Sequence, residues 1–325
     1  MVAAVAANTG CDPAPAPEPS PTVATGTAAA GLPPRSALPA GLVALTRAGT
    51  GEEAQLRVYD ATTGTLRRAV MVPTDGKVVF SASFQYAAEI DRSGNVLLYT
   101  LKGDRYESSG SLDPQSWGAR DTRPKRVGFL PRTNRLAVEL EDPDREGLRA
   151  VSLDPADPRL TSRPDVGLAP QWDSGGRPVE DVAYVEMPGQ PKVGSVVVRR
   201  SQQELVEADV IGRDDDQDGG SDLLYTCHGP QVRSWTVPCF GGGPHAELAT
   251  LTADPATKIA TIRIIAKLGG RPFTNLYVAP DGKRLLAERA DGFYATTAAG
   301  GTPKRAFGPL PKRGTMRILE WQEGS

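Results

Sequence analysis

Three cysteines and two histidines in 325 residues leave little material for a zinc centre or for general acid–base work near neutral pH. Charge of one sign is also missing. Lys and Arg total 37 against 39 Asp and Glu, so no chain-wide basic field exists for nucleic acid. No apolar run approaches the roughly 20 residues of a membrane-spanning helix. Catalytic signatures are absent as well. Gly110-Ser-Leu-Asp113 does not complete G-x-S-x-G, and the glycine-rich Gly241-Gly-Gly-Pro244 lacks the Lys-Ser/Thr of a phosphate loop. Neither His228 nor His245 lies in a recognisable motif. What the chain does have is 35 glycines, 29 prolines and 39% hydrophobic residues. That mixture breaks helices often but still builds a core, which favours short strands and tight turns.

The N-terminus divides from the rest by composition. Residues 1–11 are small and apolar up to Asn8-Thr-Gly-Cys11, and resemble the end of a bacterial lipoprotein signal, in which a small residue precedes a lipidated Cys. No Lys or Arg precedes Cys11, so the start is expected upstream or the signal truncated. Residues 12–40 form a linker in which Pro13, Pro15, Pro17, Pro19 and Pro21 alternate with small or acidic residues. Such a tract is extended and suits a stalk. With Cys11 lipidated, Cys227 and Cys239 remain as an even pair. Gly229-Pro230 between them marks a turn, so a hairpin can bring the thiols together as a disulfide in an oxidising compartment. Zinc is the weaker alternative, because adjacent Cys227 and His228 point to opposite faces of a strand.

From residue 41 to 325 the chain reads as strands joined by turns. Gln55–Tyr59 runs into Asp60-Ala-Thr-Thr-Gly64 and returns over Leu66–Val72. Tyr86–Ile90, Asp91-Arg-Ser-Gly94 and Val96–Tyr99 repeat the plan. So do Val127–Leu130, Pro131-Arg-Thr-Asn134 and Leu136–Leu140, and then Gln171-Trp172, Asp173-Ser-Gly-Gly176 and Val182–Val185. Gly94, Asn134 and Gly175 lie roughly 40 residues apart, the period of four-stranded propeller blades. The expected architecture is therefore an all-β propeller of six or seven four-stranded blades over residues 41–325. The interval from Gly175 to Gly282 breaks the period, so an insertion or a degenerate blade is expected there. Met316–Trp321 alternates and could close the ring on an N-terminal strand.

Tyr277-Val-Ala-Pro-Asp-Gly-Lys-Arg-Leu-Leu-Ala287 resembles the blade turn of TolB-like propellers, the exported actinobacterial lipoprotein type. The resemblance implies a non-enzymatic protein- or ligand-binding scaffold at the cell envelope. It also implies an exported protein, membrane-anchored through lipid or secreted. A monomer is expected, with an envelope protein or ligand as partner and no nucleic acid. The alternative is a propeller-fold hydrolase or lyase using acids in a central channel.

Arg213-Asp-Asp-Asp-Gln-Asp-Gly-Gly-Ser-Asp222 places Asp214, Asp216, Asp218 and Asp222 at offsets 1, 3, 5 and 9, with Gly219 at offset 6. Alternate carboxylates in a tight loop can converge on one calcium ion. An EF-hand would need Glu at offset 12, where Tyr225 stands, and strand-like flanks replace its helices. The D-x-D-x-D-G-x-x-D form resembles instead the β-hairpin calcium loop of FG-GAP propellers such as integrin α-subunits. That resemblance implies side-chain ligation of Ca2+ by Asp214, Asp216, Asp218 and Asp222, with the Gly220 carbonyl as a further ligand and a structural role for the ion.

Overall fold

The computed structural model describes residues 34–47, 54–73, 77–113, 123–141, 148–157, 165–168, 171–172, 177–179, 181–201, 204–213, 223–229, 231–241, 246–254, 256–311 and 314–322. These residues are all strand, turn or coil. Cys11, the acidic loop 214–222, His245 and the turn at 173–176 lie outside them.

Four sheets follow the expected four-stranded plan. The first holds β1 (Gly41–Arg47), β2 (Ala54–Tyr59) and β3 (Leu66–Val72), with β25 (Thr315–Gln322) beside β1. The second is β4 (Val79–Phe80), β5 (Tyr86–Ile90), β6 (Val96–Lys102) and β7 (Arg105–Leu112), and a single parallel pair, Met71↔Arg105 of β3 and β7, joins it to the first as one eight-stranded sheet. The third is β8 (Arg123–Phe129), β9 (Leu136–Glu141), β10 (Leu148–Leu153) and β11 (Asp165–Leu168). The last is β21 (Asn275–Val278), β22 (Arg284–Arg289), β23 (Gly292–Thr297) and β24 (Lys304–Phe307).

The interval that breaks the 40-residue period is built differently. A short pair, β12 (Gln171–Trp172) and β13 (Pro178–Val179), leads into a continuous seven-stranded meander. Its strands are β14 (Asp181–Val185), β15 (Val193–Ser201), β16 (Glu204–Gly212), β17 (Leu223–His228), β18 (Thr236–Gly241), β19 (Ala246–Asp254) and β20 (Ile259–Leu268). Two blades of the expected length are fused here, because β16 pairs directly with β17 from Glu207↔His228 to Ile211↔Leu223. The sheet also rolls on itself. The Glu186 N–H donates to the Lys258 carbonyl at 2.9 Å, and the Ala260 N–H donates to the Glu186 carbonyl at 2.7 Å. Inside the roll, Val196, Val198, Leu205, Val210, Val237 and Leu251 make one buried cluster.

Shared cores join neighbouring sheets, except that the third meets the rolled sheet through the Arg132–Glu204 ion pair. Val43 and Leu56 of the first sheet pack with Ala87 and Tyr99 of the second. Ala88 and Leu98, on the opposite face of the second sheet, pack with Leu136 and Val138 of the third. Leu248 and Ala266 of the rolled sheet pack with Leu276 and Leu285 of the last. Leu286 and Phe293, on the far face of the last sheet, return to Leu42 and Ala44. Alternation along each strand makes this possible, since successive side chains serve opposite neighbours. The fold is an all-β propeller. It closes as the pattern at Met316–Trp321 suggests, with β25 pairing β1 antiparallel from Gly41↔Gln322 to Arg47↔Thr315.

The turns form for local reasons. Asp60 Oδ1 accepts the N–H groups of Thr62 and Thr63 at 2.8 Å, and Asp91 Oδ1 accepts those of Ser93 and Asn95 at 2.8 Å. Asp281 accepts the Lys283 N–H at 2.8 Å and the Arg284 N–H at 3.2 Å. Backbone bonds, led by Thr63 for Asp60 and by Asn95 for Asp91, hold both carboxyls below the ordinary carboxylate range. Gly282 needs glycine, with φ of +67° and the Gln231 carbonyl 3.1 Å from where a Cβ would sit.

The packed body starts before residue 41, further toward the N-terminus than the linker boundary drawn from composition. Leu38 is 1% exposed and belongs to the core between the first two sheets. The Ala37 N–H donates to the Ser83 carbonyl at 2.7 Å, and Ser36 donates its hydroxyl to the Gln322 side chain. Composition alone missed this docking, because a single Leu among prolines carries no periodic signal.

Candidate functional site

In a propeller the first strand of each sheet lies nearest the central axis. β25 is the edge strand of the first sheet, and it carries Glu320 and Gln322. Gln322 Nε2 donates to Glu320 Oε1 at 2.6 Å and lies 3.1 Å from the Ala82 carbonyl. From Ala82 the polar contacts continue. The Ala82 N–H donates to the Thr133 carbonyl at 3.1 Å, and the Ser83 hydroxyl donates to Asn134 Oδ1 at 2.7 Å. The first three sheets are thereby stitched turn to turn. The last sheet joins the first through Arg284, whose guanidinium lies 5.1 Å from the centre of the Trp321 ring.

Glu320 is half-buried on the edge strand of its sheet. Burial pushes its pKa up, while the Gln322 hydrogen bond and the positive charge of Arg177 pull against that rise. Arg177 directly precedes β13, far from β25 in sequence, so its charge reaches Glu320 only through the tertiary fold. A raised folded pKa means that the protonated form supports the fold. That support is complete below the unfolded value, near 4.5, and is lost as pH rises through the folded pKa. Glu320→Gln is therefore expected to raise the melting temperature at pH 7 and to flatten its dependence on pH above about 4.5. An unchanged pH profile in scanning calorimetry would reject this.

The other enclosed acids are held by partners of their own. The Tyr99 hydroxyl donates to Glu89 Oε1 at 2.7 Å, and the Tyr277 hydroxyl donates to Glu288 Oε2 at 2.7 Å. Arg199 lies 3.6 Å from Glu207, and Arg126 lies 3.9 Å from Glu139. Glu247 receives the Tyr225 hydroxyl at 2.8 Å and Lys267 at 2.7 Å. Burial and that carboxylate push the Tyr225 hydroxyl up to about 12. Each acid sits on a different strand, and Glu139 Oε2 alone among them is buried without a hydrogen bond, with the Arg126 charge 3.9 Å away. Among the described residues, no group of three His, Cys, Asp or Glu side chains converges to hold a metal.

Cys227 and Cys239 are directly opposed on β17 and β18 and form a disulfide, with 4.0 Å between their Cα atoms. Both are fully buried within the rolled sheet. The hairpin turn at Gly229, with φ of +107°, makes the pairing possible. The adjacent His228 packs edge-on against Phe240, with ring centres 5.7 Å apart. The metal ligands expected at Asp214, Asp216, Asp218, Gly220 and Asp222, and lipidation at Cys11, fall outside the described residues. β16 and β17, which flank the acidic segment, are antiparallel partners, so it does join two paired strands.

Sequence reading did not single out Glu320. It is the only acid in an otherwise alternating strand, and its axial position follows only from ring closure.

No family model matches the chain, and no curated protein sequence matches it. Solved structures of similar shape are known at low identity. One is the β-propeller domain of Cps50 (Swd1) from Myceliophteria thermophila, with 12% identity, a TM-score of 0.36, and coverage of 85% of this chain and 88% of that one. TolB from Acinetobacter baumannii has 11% identity and a TM-score of 0.37, covering 80% of this chain and 62% of that one. An oligogalacturonate lyase in complex with manganese has 12% identity and a TM-score of 0.36, covering 78% of this chain and 70% of that one. These proteins include enzymes and non-enzymes. The propeller here is established by strand pairing and the chain of shared cores, independently of such likenesses.

Proposed function

We propose that the protein is a non-enzymatic, extracytoplasmic binding scaffold of the cell envelope, tethered through lipid on Cys11 by the Pro-rich stalk. The observation that carries this reading is the state of its enclosed acids. Apart from Glu320 and Glu139, those described above are hydrogen-bonded or ion-paired to Tyr, Arg or Lys partners, which suits a rigid body better than proton transfer. The buried Cys227–Cys239 disulfide supports an oxidising compartment. The TolB-like turn at Asp281 supports the same class.

A calcium ion at Asp214, Asp216, Asp218, the Gly220 carbonyl and Asp222 would tie the β16–β17 hairpin and neutralise four crowded carboxylates. Titration calorimetry should show heat on adding calcium. At a hundredfold excess over Kd, the ion should stabilise the fold by about 2.7 kcal/mol. Asp216→Asn with Asp218→Asn should remove both effects. The absence of heat and of a thermal shift in millimolar calcium would reject the site.

Glu320 favours a second reading, a hydrolase or lyase acting in the axial channel, because a carboxyl with a raised pKa can serve as a general acid. Turnover of glycoside or ester substrates that disappears in Glu320→Gln would replace the scaffold reading. Retention of one envelope component by the folded protein, equally in wild type and Glu320→Gln, would support it.

A further inference from the structure

The rolled sheet carries an open groove of about 740 Å3 at one end, away from the features used so far. It is bordered by the β14–β15 connection, by Arg213 at the end of β16, and by Lys258 in the turn before β20. Ligand-binding clefts commonly fall within about 300–1,000 Å3, so the size is ample. Its base is apolar, with Val185, Met187 and Val196, and one exposed acid, Glu186, lies in it against two cations. Tyr184 is 72% exposed, an unusual state for a large ring, and presents an aromatic face at the rim. Arg213 and Lys258 are exposed cations, and neither forms an ion pair with another described residue. Gln190 and Ser195 add neutral hydrogen-bonding groups.

Two details show that this arrangement is held in place. Lys258 has φ of +56°, which a lysine rarely adopts, and its carbonyl accepts the Glu186 N–H at 2.9 Å. The closing contact of the rolled sheet thus fixes the backbone from which the cation projects. On the other side, the Arg213 N–H donates to the Lys192 carbonyl at 2.8 Å, which ties the base of the second cation to the β14–β15 connection.

The geometry points to this groove as a binding site for an anionic carbohydrate chain. An exposed aromatic ring offers a flat apolar face to the C–H side of a sugar ring. The two cations would meet carboxylate or sulfate groups, and Gln190 and Ser195 would meet hydroxyls. The groove is open, as a passing polymer requires. The exposed ring of Tyr184 favours a sugar over an acidic peptide, which the poly-glutamate probe tests. The site does not use the lipid tether, but Arg213 directly precedes Asp214 of the acidic loop, so binding is measured both with and without calcium.

Binding would be measured on the full chain, in EDTA and in millimolar calcium, with a uronate oligosaccharide, a heparin oligosaccharide, a neutral dextran and poly-glutamate as probes. The expected result is binding of one or both anionic sugars, weakening with salt, and no binding of dextran. Tyr184→Ala and the pair Arg213→Ala with Lys258→Asn should each weaken it about tenfold or more. Asn is chosen at 258 because it tolerates left-handed backbone, and an unchanged melting temperature would show that the roll is intact. Glu320→Gln should bind like wild type. Failure of wild type to bind either anionic sugar overturns the proposal, as does tighter binding of poly-glutamate. Loss of affinity in the cation pair with none in Tyr184→Ala would also overturn it, reducing the groove to a patch of charge. Retention of the uronate but not heparin, or the reverse, would identify carboxylate or sulfate as the recognised group.

Discussion

Truncation of the chain after Gly314 is expected to abolish cooperative folding rather than merely to lower stability. β25 pairs with β1 at seven positions and completes the first sheet. Each backbone hydrogen bond is worth about 0.5–1.5 kcal/mol net, so their loss alone approaches the 5–15 kcal/mol by which a domain is usually stable. The damage extends beyond the pairing. Leu42, Ala44, Leu286 and Phe293 form the core shared by the first and last sheets, and Ile318 and Trp321 pack against it. Removing β25 would open that core, free an edge at β1, and release Gln322 from its contacts with Ser36 and Ala82. Circular dichroism of the truncated protein should show no sharp thermal transition. A cooperative transition near the wild-type temperature would mean that the ring does not depend on this closure.

Replacing both cysteines, Cys227→Ala with Cys239→Ala, is expected to cost about 2–4 kcal/mol. The bridge closes a chain segment with a sequence separation of 12, and in the loop-closure account most of its effect lies in restricting the unfolded chain. The sulfurs also sit in the core of the rolled sheet, so shortening both side chains adds some loss of packing. At about 2 °C or more per kcal/mol for a body of this size, the melting temperature should fall by roughly 4–8 °C or more. The effect should be centred on the rolled sheet. Hydrogen exchange should accelerate in β17 and β18 before it does in the first sheet. An unchanged melting temperature would show that the antiparallel pairing of those strands is sufficient on its own.

Much of the architecture was legible because its causes are local. Asp60, Asp91 and Asp281 each bind backbone N–H groups a few residues ahead, and Gly64, Gly94 and Gly282 take the positive φ that the turns need. The strands on either side alternate, so their existence and approximate ends follow from the same short windows. The Cys227–Cys239 pairing was readable for a similar reason, since a hairpin turn lies between the two residues. The turn at Pro131–Asn134 is less regular. Arg132, not glycine, adopts φ of +58° there, and its side chain forms an ion pair with Glu204 of the rolled sheet. Such a contact spans 72 residues and leaves no trace in local composition.

The candidate sites divide along the same line. The acidic loop was visible because its spacing is itself the chemistry, whereas Glu320 and the Tyr184 groove were not visible in any window of sequence. Glu320 becomes a half-buried acid only when β25 is drawn to β1 and the tertiary fold brings the Arg177 charge to it. Tyr184, Arg213 and Lys258 become neighbours only because the seven-stranded sheet rolls until Glu186 meets Lys258 and Ile259. By itself the sequence determined strand content, turn positions, the disulfide and the approximate repeat, all set by interactions within a dozen or so residues. The tertiary structure alone decided that two blades fuse through β16 and β17, that residues 36–38 dock on the body, and which side chains share a cavity. Those outcomes depend on how twisted sheets pack and close, and that is a property of contacts between residues far apart in the chain.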